Sequence, residues 1–187
     1  MSRRAAWLLV GGVALAALLA WWLAPGRRDH RGSPGAGEAG TNPAERRTVT
    51  LYFPGPAEGL VAERRTVAGG DDEEVARVIL AELLSGPREE ELYAPLPDDT
   101  EVAAVHIGRT GIAYVDLRMP EGTSRPSLGS QQELLAAYSL VNSLCENLPR
   151  LAGVALLWNG TQSPTFAGNL DTRRPLVPNR SLVAPAA

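Results

Sequence analysis

The sequence predicts an α+β domain in which two helices pack on one face of a small open sheet, with a single transmembrane helix ahead of it. Three observations carry this. β-Branched and apolar runs near residues 48–53, 101–107, 112–117 and 153–158 read as strands, two segments following Asp71 and Ser130 repeat apolar residues at helical spacing, and residues 5–24 carry no charge.

The leading segment comes first in the chain. Ala5 to Ala24 are twenty uncharged residues in a row, and at 1.5 Å per residue such a helix matches a hydrocarbon core of about 30 Å. Trp7 lies near one end and Trp21 with Trp22 near the other, where indole rings favour the membrane interface. Trp22 spoils a small-x-small cleavage pattern before Ala24, so an uncleaved signal anchor is expected, with a cleaved signal peptide as the second reading. Arg3 and Arg4 on one side nearly balance Arg27, Arg28 and Arg31 on the other. The short leading tail favours an N-terminus inside and a C-terminal domain outside, which makes the expected location the cell membrane, single-pass. Residues 25–47 are rich in Gly, Pro and Arg and read as a disordered tether, with ends on the order of 25 Å apart.

The folded domain is expected over residues 48–182, leaving 183–187 as a tail. TVTLYF at 48–53 reads as a strand stopped by Pro54-Gly55-Pro56, and a weaker strand is expected from Leu60 to Val67. Asp71 and Glu74 have capping-box spacing, and Val75, Ile79 and Leu83 then mark one face of a first helix. Gly86 and Pro87 end it, because glycine takes the left-handed conformation and proline blocks continuation. Residues 101–107 and 112–117 flank Gly108-Arg109-Thr110-Gly111 and predict a hairpin. Ser130 and Glu133 offer a second capping box, followed by a stripe of Leu134, Tyr138, Val141, Cys145 and Leu148, widened by Ala137 and Leu144. Gly153 to Trp158 predicts a buried strand closed by a turn at Asn159-Gly160. The order β-(β)-α-β-β-α-β is close to a split βαβ arrangement.

Composition excludes several functions. All 18 basic residues are Arg, so no phosphate-loop lysine, Schiff base or lysine base exists. Residues 48–187 carry eleven Arg against eighteen acids, a net of −7, which opposes nucleic-acid binding. Cys145 is the sole cysteine, so neither a disulfide framework nor a cysteine-rich metal site is available. It lies on the apolar stripe and reads as a small hydrophobe. His106 stands in a strand without a second histidine beside it and reads as structural. Asp71 to Glu74 lack the alternating ligand spacing of a calcium loop, and Glu89-Glu90-Glu91 reads as a solvated patch or a face for a basic partner. Asp98, Asp99 and Glu101 are the only support for a carboxylate glycosidase, and adjacent acids on a turn seldom hold the needed separation. No cofactor, metal or small-molecule substrate is implied.

The ordered set of local patterns resembles the GerMN domain of sporulation and spore germination proteins. It comprises Leu51-Tyr52-Phe53, Leu83 to Pro87, Leu96 to Thr100, Tyr114 to Leu117, Gly129-Ser130 with Glu133, Tyr138 to Leu144, and the strand ending at Asn159-Gly160. The resemblance covers about residues 48–177. It implies a ring-building-motif-like fold, no catalytic residue, and protein–protein interaction or assembly in the cell envelope, through other envelope proteins or self-association. The alternatives are a peptidoglycan-acting enzyme using carboxylates and an accessory regulator of a membrane sensor kinase.

Overall fold

A computed structural model describes residues 45–185. The expected transmembrane span, with Trp7, Trp21 and Trp22, and the tether up to residue 44 lie outside the described residues. Among the described residues no helix is long and apolar enough to cross a membrane.

Five strands and two helices follow in the order β1 (Glu45–Pro54), β2 (Leu60–Gly69), α1 (Asp72–Leu84), β3 (Glu101–Ile107), β4 (Ile112–Arg118), α2 (Ser130–Asn147) and β5 (Gly153–Trp158), with a 3₁₀ turn at Arg180–Leu182. The strands form two sheets, not the single sheet expected. β1 and β2 make a ten-rung antiparallel ribbon, Glu45 opposite Gly69 and Pro54 opposite Leu60. β3, β4 and β5 make the second sheet, β3–β4 antiparallel and β4–β5 parallel, so β4, α2 and β5 form a crossover unit. The helices join the sheets, α1 touching β2 and β3 and α2 touching β1 and β5. Neither sheet has a whole face for two helices, and each helix is therefore shared.

β1 begins at Glu45, so Glu45, Arg46 and Arg47 belong to a strand and not to a tether. At the other end Val183 bridges to Leu60 and the Ala184 N–H donates to the Leu60 carbonyl at 2.8 Å, which places residues expected in a tail against β2.

Helix α1 is built as its sequence predicts. The Asp71 carboxylate accepts from the Glu74 N–H at 2.8 Å, and the Glu74 carboxylate reaches back to the Gly70 N–H at 2.8 Å. Gly86 follows the helix at φ +85°, a conformation that costs an L side chain about 1–2 kcal/mol. Val75, Ile79 and Leu83 are fully buried with Val49, Leu51 and Phe53 of β1 in the shared core.

Helix α2 departs from expectation. Its N-cap is Gly129, with no side-chain cap, and Ser130 is already helical. Glu133 is completely buried and caps nothing. The stripe holds in part: Ala137, Val141, Leu144 and Leu148 are buried as expected, but Leu134, Tyr138 and Cys145 are half-exposed, while Leu135, Ala136, Ser139, Leu140, Asn142 and Ser143 are buried as well. A helix wedged between two sheets is covered on more than one side, so a single apolar stripe does not describe it.

Candidate interaction surface

The buried polar side chains are committed to the scaffold. Ser139, Ser143 and Asn147 stand one turn apart on α2 and face the outer edge of β1. Asn147 Nδ2 donates to the Thr50 carbonyl at 2.7 Å and its Oδ1 accepts from the Thr50 N–H at 2.9 Å. The Tyr52 N–H donates to Ser143 Oγ at 2.9 Å, and Ser139 Oγ donates to the Tyr52 carbonyl. A hydroxyl-amide row on a helix thus occupies the place of a neighbouring strand.

Glu133 organises the loop after β5. It accepts backbone N–H bonds from Ala167 at 2.5 Å, Asn169 at 2.7 Å and Leu170 at 2.9 Å, and a fourth from Asn169 Nδ2 at 2.8 Å. Burial pushes its carboxyl up, but these donors outweigh burial and hold it below the ordinary carboxylate range.

Arg65 on β2 is 3 % exposed and supplies the basic group that the last turn of α1 lacks. It donates to the Glu82 carbonyl at 2.8 Å and the Gly86 carbonyl at 2.6 Å, pairs with Glu63 at 2.7 Å and Glu82 at 2.9 Å, and lies 5.2 Å over the Phe53 ring. Cationic donors at a helix C-terminus satisfy free carbonyls and oppose the dipole. Burial raises the Glu63 carboxyl, but the Arg88 N–H and Arg65 prevail and hold it low.

The residues singled out in the sequence do not converge. Asp71 and Glu74 lie at one end of α1 and Gly86 with Pro87 at the other, Ser130 opens α2, and Asn159-Gly160 is a tight turn at φ +50° and +72° after β5. The Gly160 N–H donates to the Asp116 carboxylate at 2.7 Å. Asp98, Asp99 and Glu101 are exposed, and Glu101 pairs with Arg118 at 2.8 Å. His106 is exposed and pairs with Glu73 at 2.9 Å. Burial pushes the Cys145 thiol up to about 11, which suppresses thiolate chemistry. No group of three metal-ligating side chains occurs among the described residues.

The outer strand edges are met at single points. The outer side of β5 pairs with Leu176 through two 2.8 Å bonds at Val154, and the Ile107 N–H of β3 donates to Glu73 at 2.9 Å.

Two larger hollows are open among the described residues: a polar one of about 530 Å³ beside Thr123, Arg125, Asn159 and Gln162, and a more apolar groove of about 340 Å³ at the Pro54 end of β1. One wall is the turn Pro54-Gly55-Pro56 with Glu58, another is Tyr93-Ala94-Pro95, and the floor is the first turn of α2 with Leu135. The turn is pinned by Gly55 N–H to the Gly59 carbonyl at 2.8 Å, Tyr93 N–H to the Pro54 carbonyl at 2.9 Å, and Gln131 Nε2 to the Glu58 carbonyl at 3.1 Å. Tyr93 is 59 % exposed. Glu89 and Glu91 line an adjoining hollow that shares Gly55 and Pro56. Sequence reading found the acids but missed the groove; the available signal was apolar and proline residues concentrated in two loops.

Among solved structures, the tandem GerMN domains of the sporulation protein GerM from Bacillus subtilis match with a TM-score of 0.56 at 22 % identity, covering 71 % of this chain and 46 % of that one. The first GerMN domain of the same protein matches at 0.52 and 19 % identity, covering 72 % and 98 %. A Clostridium perfringens protein described as a candidate lipoprotein matches at 0.52 and 19 % identity, covering 71 % and 87 %. These likenesses show a shared fold. No curated protein matches the sequence. The family model described as Germane, sporulation and spore germination, matches residues 50–164. That span is more than half of the chain, and the protein belongs to this family.

Proposed function

We propose that the protein is a membrane-anchored component of the cell envelope in sporulation or spore germination, and that its folded domain binds other proteins and catalyses no reaction. The carrying observation is how its polar groups are used. Glu133, Glu63, Arg65, Ser139, Ser143 and Asn147 are each taken up in holding the fold together, whereas the groove at Pro54 is walled by proline, tyrosine and leucine with Glu58, Gln131 and Gln132 at its rim. A hydrolase of glycans needs two convergent carboxylates across a cleft, and the exposed acids Asp98, Asp99 and Glu101 line no such cleft among the described residues. Family membership supports the sporulation context, and a lipoprotein-like structural neighbour supports an envelope location. Attachment through residues 5–24 with the domain outside remains the arrangement favoured by sequence.

Crosslinking in sporulating cells, with photoreactive groups at Tyr93 and Gln132, is expected to capture envelope proteins or copies of this chain. The full chain is expected to stay with membranes under alkaline extraction. Glycan-strand cleavage by the purified protein, abolished by Glu101→Gln or Asp98→Asn, would sink the binding reading.

A further inference from the structure

We propose that the polar hollow beside the Asn159-Gly160 turn is a binding site for a hydroxyl-rich chain that carries anionic groups, the chemistry of an acidic cell-wall glycan or polyol phosphate. This goes beyond the protein-binding reading. The hollow and the Pro54 groove share no lining residue, so either site stands without the other.

The frame of the hollow is held by main-chain groups. After β5 the chain doubles back, the Trp158 N–H donating to the Thr161 carbonyl at 2.9 Å and the Thr161 N–H to the Trp158 carbonyl at 3.0 Å. Thr172 fixes the next residues, its N–H donating to the Pro164 carbonyl and its Oγ1 to the Ser163 carbonyl, both at 3.0 Å. The Gln162 amide returns a bond to the Thr172 carbonyl at 2.6 Å. The Trp158 indole is locked by Nε1 donating to the Phe166 carbonyl at 3.0 Å and by the Phe166 ring 5.5 Å away. A frame set before binding loses little order when a ligand arrives.

The side chains left over select the ligand. Ser124, Asn159, Thr161 and Ser163 line the hollow, and their side-chain polar atoms make no hydrogen bond with a described residue. Three hydroxyls and an amide offer donors and acceptors together, which matches hydroxyl and amide groups and not an apolar ligand or a bare cation. Its volume of about 530 Å³ lies in the usual range of small-molecule sites.

Charge narrows the choice further. Arg125 is the one charged residue in the lining, and no acid lines the hollow although residues 48–187 carry a net of −7. The Asp116 carboxylate next to the turn accepts the Gly160 N–H at 2.7 Å. Arg125 is also held differently from other arginines. Among the described residues Arg65, Arg118, Arg173 and Arg180 hydrogen-bond to carboxylates, whereas Arg125 donates through Nη1 to the Thr165 carbonyl at 3.1 Å and meets no acid. Its charge is positioned and not neutralised. The Nε–Nη2 edge remains for a paired contact with carboxylate or phosphate oxygens.

The test is calorimetric titration of the full chain in mild detergent with four polymers of matched length. Peptide-free cell-wall glycan strands carry lactyl carboxylates, poly(glycerol phosphate) carries phosphodiesters, dextran has hydroxyls without charge, and polyglutamate has charge without hydroxyls. At least one of the first two is expected to bind about tenfold more tightly than either control, and the tighter of them tells carboxylate from phosphate. Arg125→Gln is expected to weaken that binding by about tenfold and to abolish the preference over dextran. Arg109→Gln makes the same charge change on the exposed β3–β4 turn, at the opposite end of β4 from Trp158, and is expected to leave binding unchanged. Asn159→Gly tolerates the φ of +50° and loses only the amide, with an expected weakening of about threefold for charged and neutral chains alike. No binding of either anionic chain, equal binding of polyglutamate, or an equal loss in Arg109→Gln and Arg125→Gln overturns the proposal. The in-cell crosslinks at Tyr93 and Gln132 test protein binding separately, so failure here leaves that reading standing.

Discussion

Asn147 and Thr50, 97 residues apart, exchange both backbone hydrogen bonds of a strand position, the Thr50 N–H donating to Oδ1 and the Thr50 carbonyl accepting from Nδ2. Asn147→Ala leaves both backbone groups without partners, and an unsatisfied buried group costs about 1–3 kcal/mol. The expected loss is about 2 kcal/mol in urea unfolding. Asn147→Asp keeps the acceptor, loses the donor and is expected to be no better.

Glu133→Gln removes the charge that three backbone N–H groups converge on. The expected destabilisation is about 2–3 kcal/mol, with proteolytic sensitivity appearing in residues 165–170. The pH dependence follows from the lowered carboxyls of Glu133 and Glu63. A depressed folded value means stability is fully present above the unfolded glutamate value of about 4.3 and is lost as pH falls through the folded values. Thermal unfolding of wild type between pH 6 and pH 3 is expected to show this loss, and Glu133→Gln is expected to flatten it.

Arg65→Ala leaves Glu63 buried beside no cation and removes two donors from the carbonyls at the end of α1, with an expected cost of about 3–5 kcal/mol. Arg65→Lys restores charge but cannot bridge Glu63, Glu82 and the Gly86 carbonyl together, so it is expected to recover less than half of that. Paired denaturant curves measure both.

Two glycines with similar backbone angles separate conformation from crowding. Gly86 at φ +85° has open space where a Cβ would go, and Gly86→Ala is expected to cost about 1 kcal/mol. Gly111 at φ +77° would place a Cβ 2.6 Å from the Arg150 carbonyl oxygen, and Gly111→Ala is expected to cost at least twice as much. Equal losses in thermal unfolding would contradict this account.

Cys145 provides a readout of opening. With its thiol pushed up to about 11, alkylation at neutral pH is expected to be slow in the native protein and to accelerate on unfolding.

Much of the fold was legible because strand and helix period, turn residues and the Asp71–Glu74 cap are local signals. β3, β4, β5, the hairpin turn and α1 follow from them with small shifts at their ends. Pairing is not local. Nothing in residues 48–67 says that they form a separate ribbon instead of joining β3 to β5, so one sheet was expected where two exist. The α2 stripe was incomplete for a related reason: Ala137, Val141, Leu144 and Leu148 are buried as expected, but Ser139, Asn142 and Ser143 count as outward by polarity and are buried because β1 offers the two serines backbone partners and Asn179 offers them to Asn142. Ser130 and Glu133 have capping-box spacing, but the carboxylate finds more donors in the 167–170 loop than at the helix start. The groove was illegible because Pro54 and Tyr93 are far apart in sequence and neighbours only after folding.

The β1–β2 ribbon also sets how the domain carries load. The described chain enters β1 at Glu45, and the groove lies beside Pro54 at the far end, about 30 Å along the strand. A pull between whatever precedes Glu45 and a protein seated in the groove therefore runs lengthwise through β1. Its ten rungs are strained together in shear and do not peel one at a time, so the ribbon resists tension as a strut before the rest of the domain is disturbed.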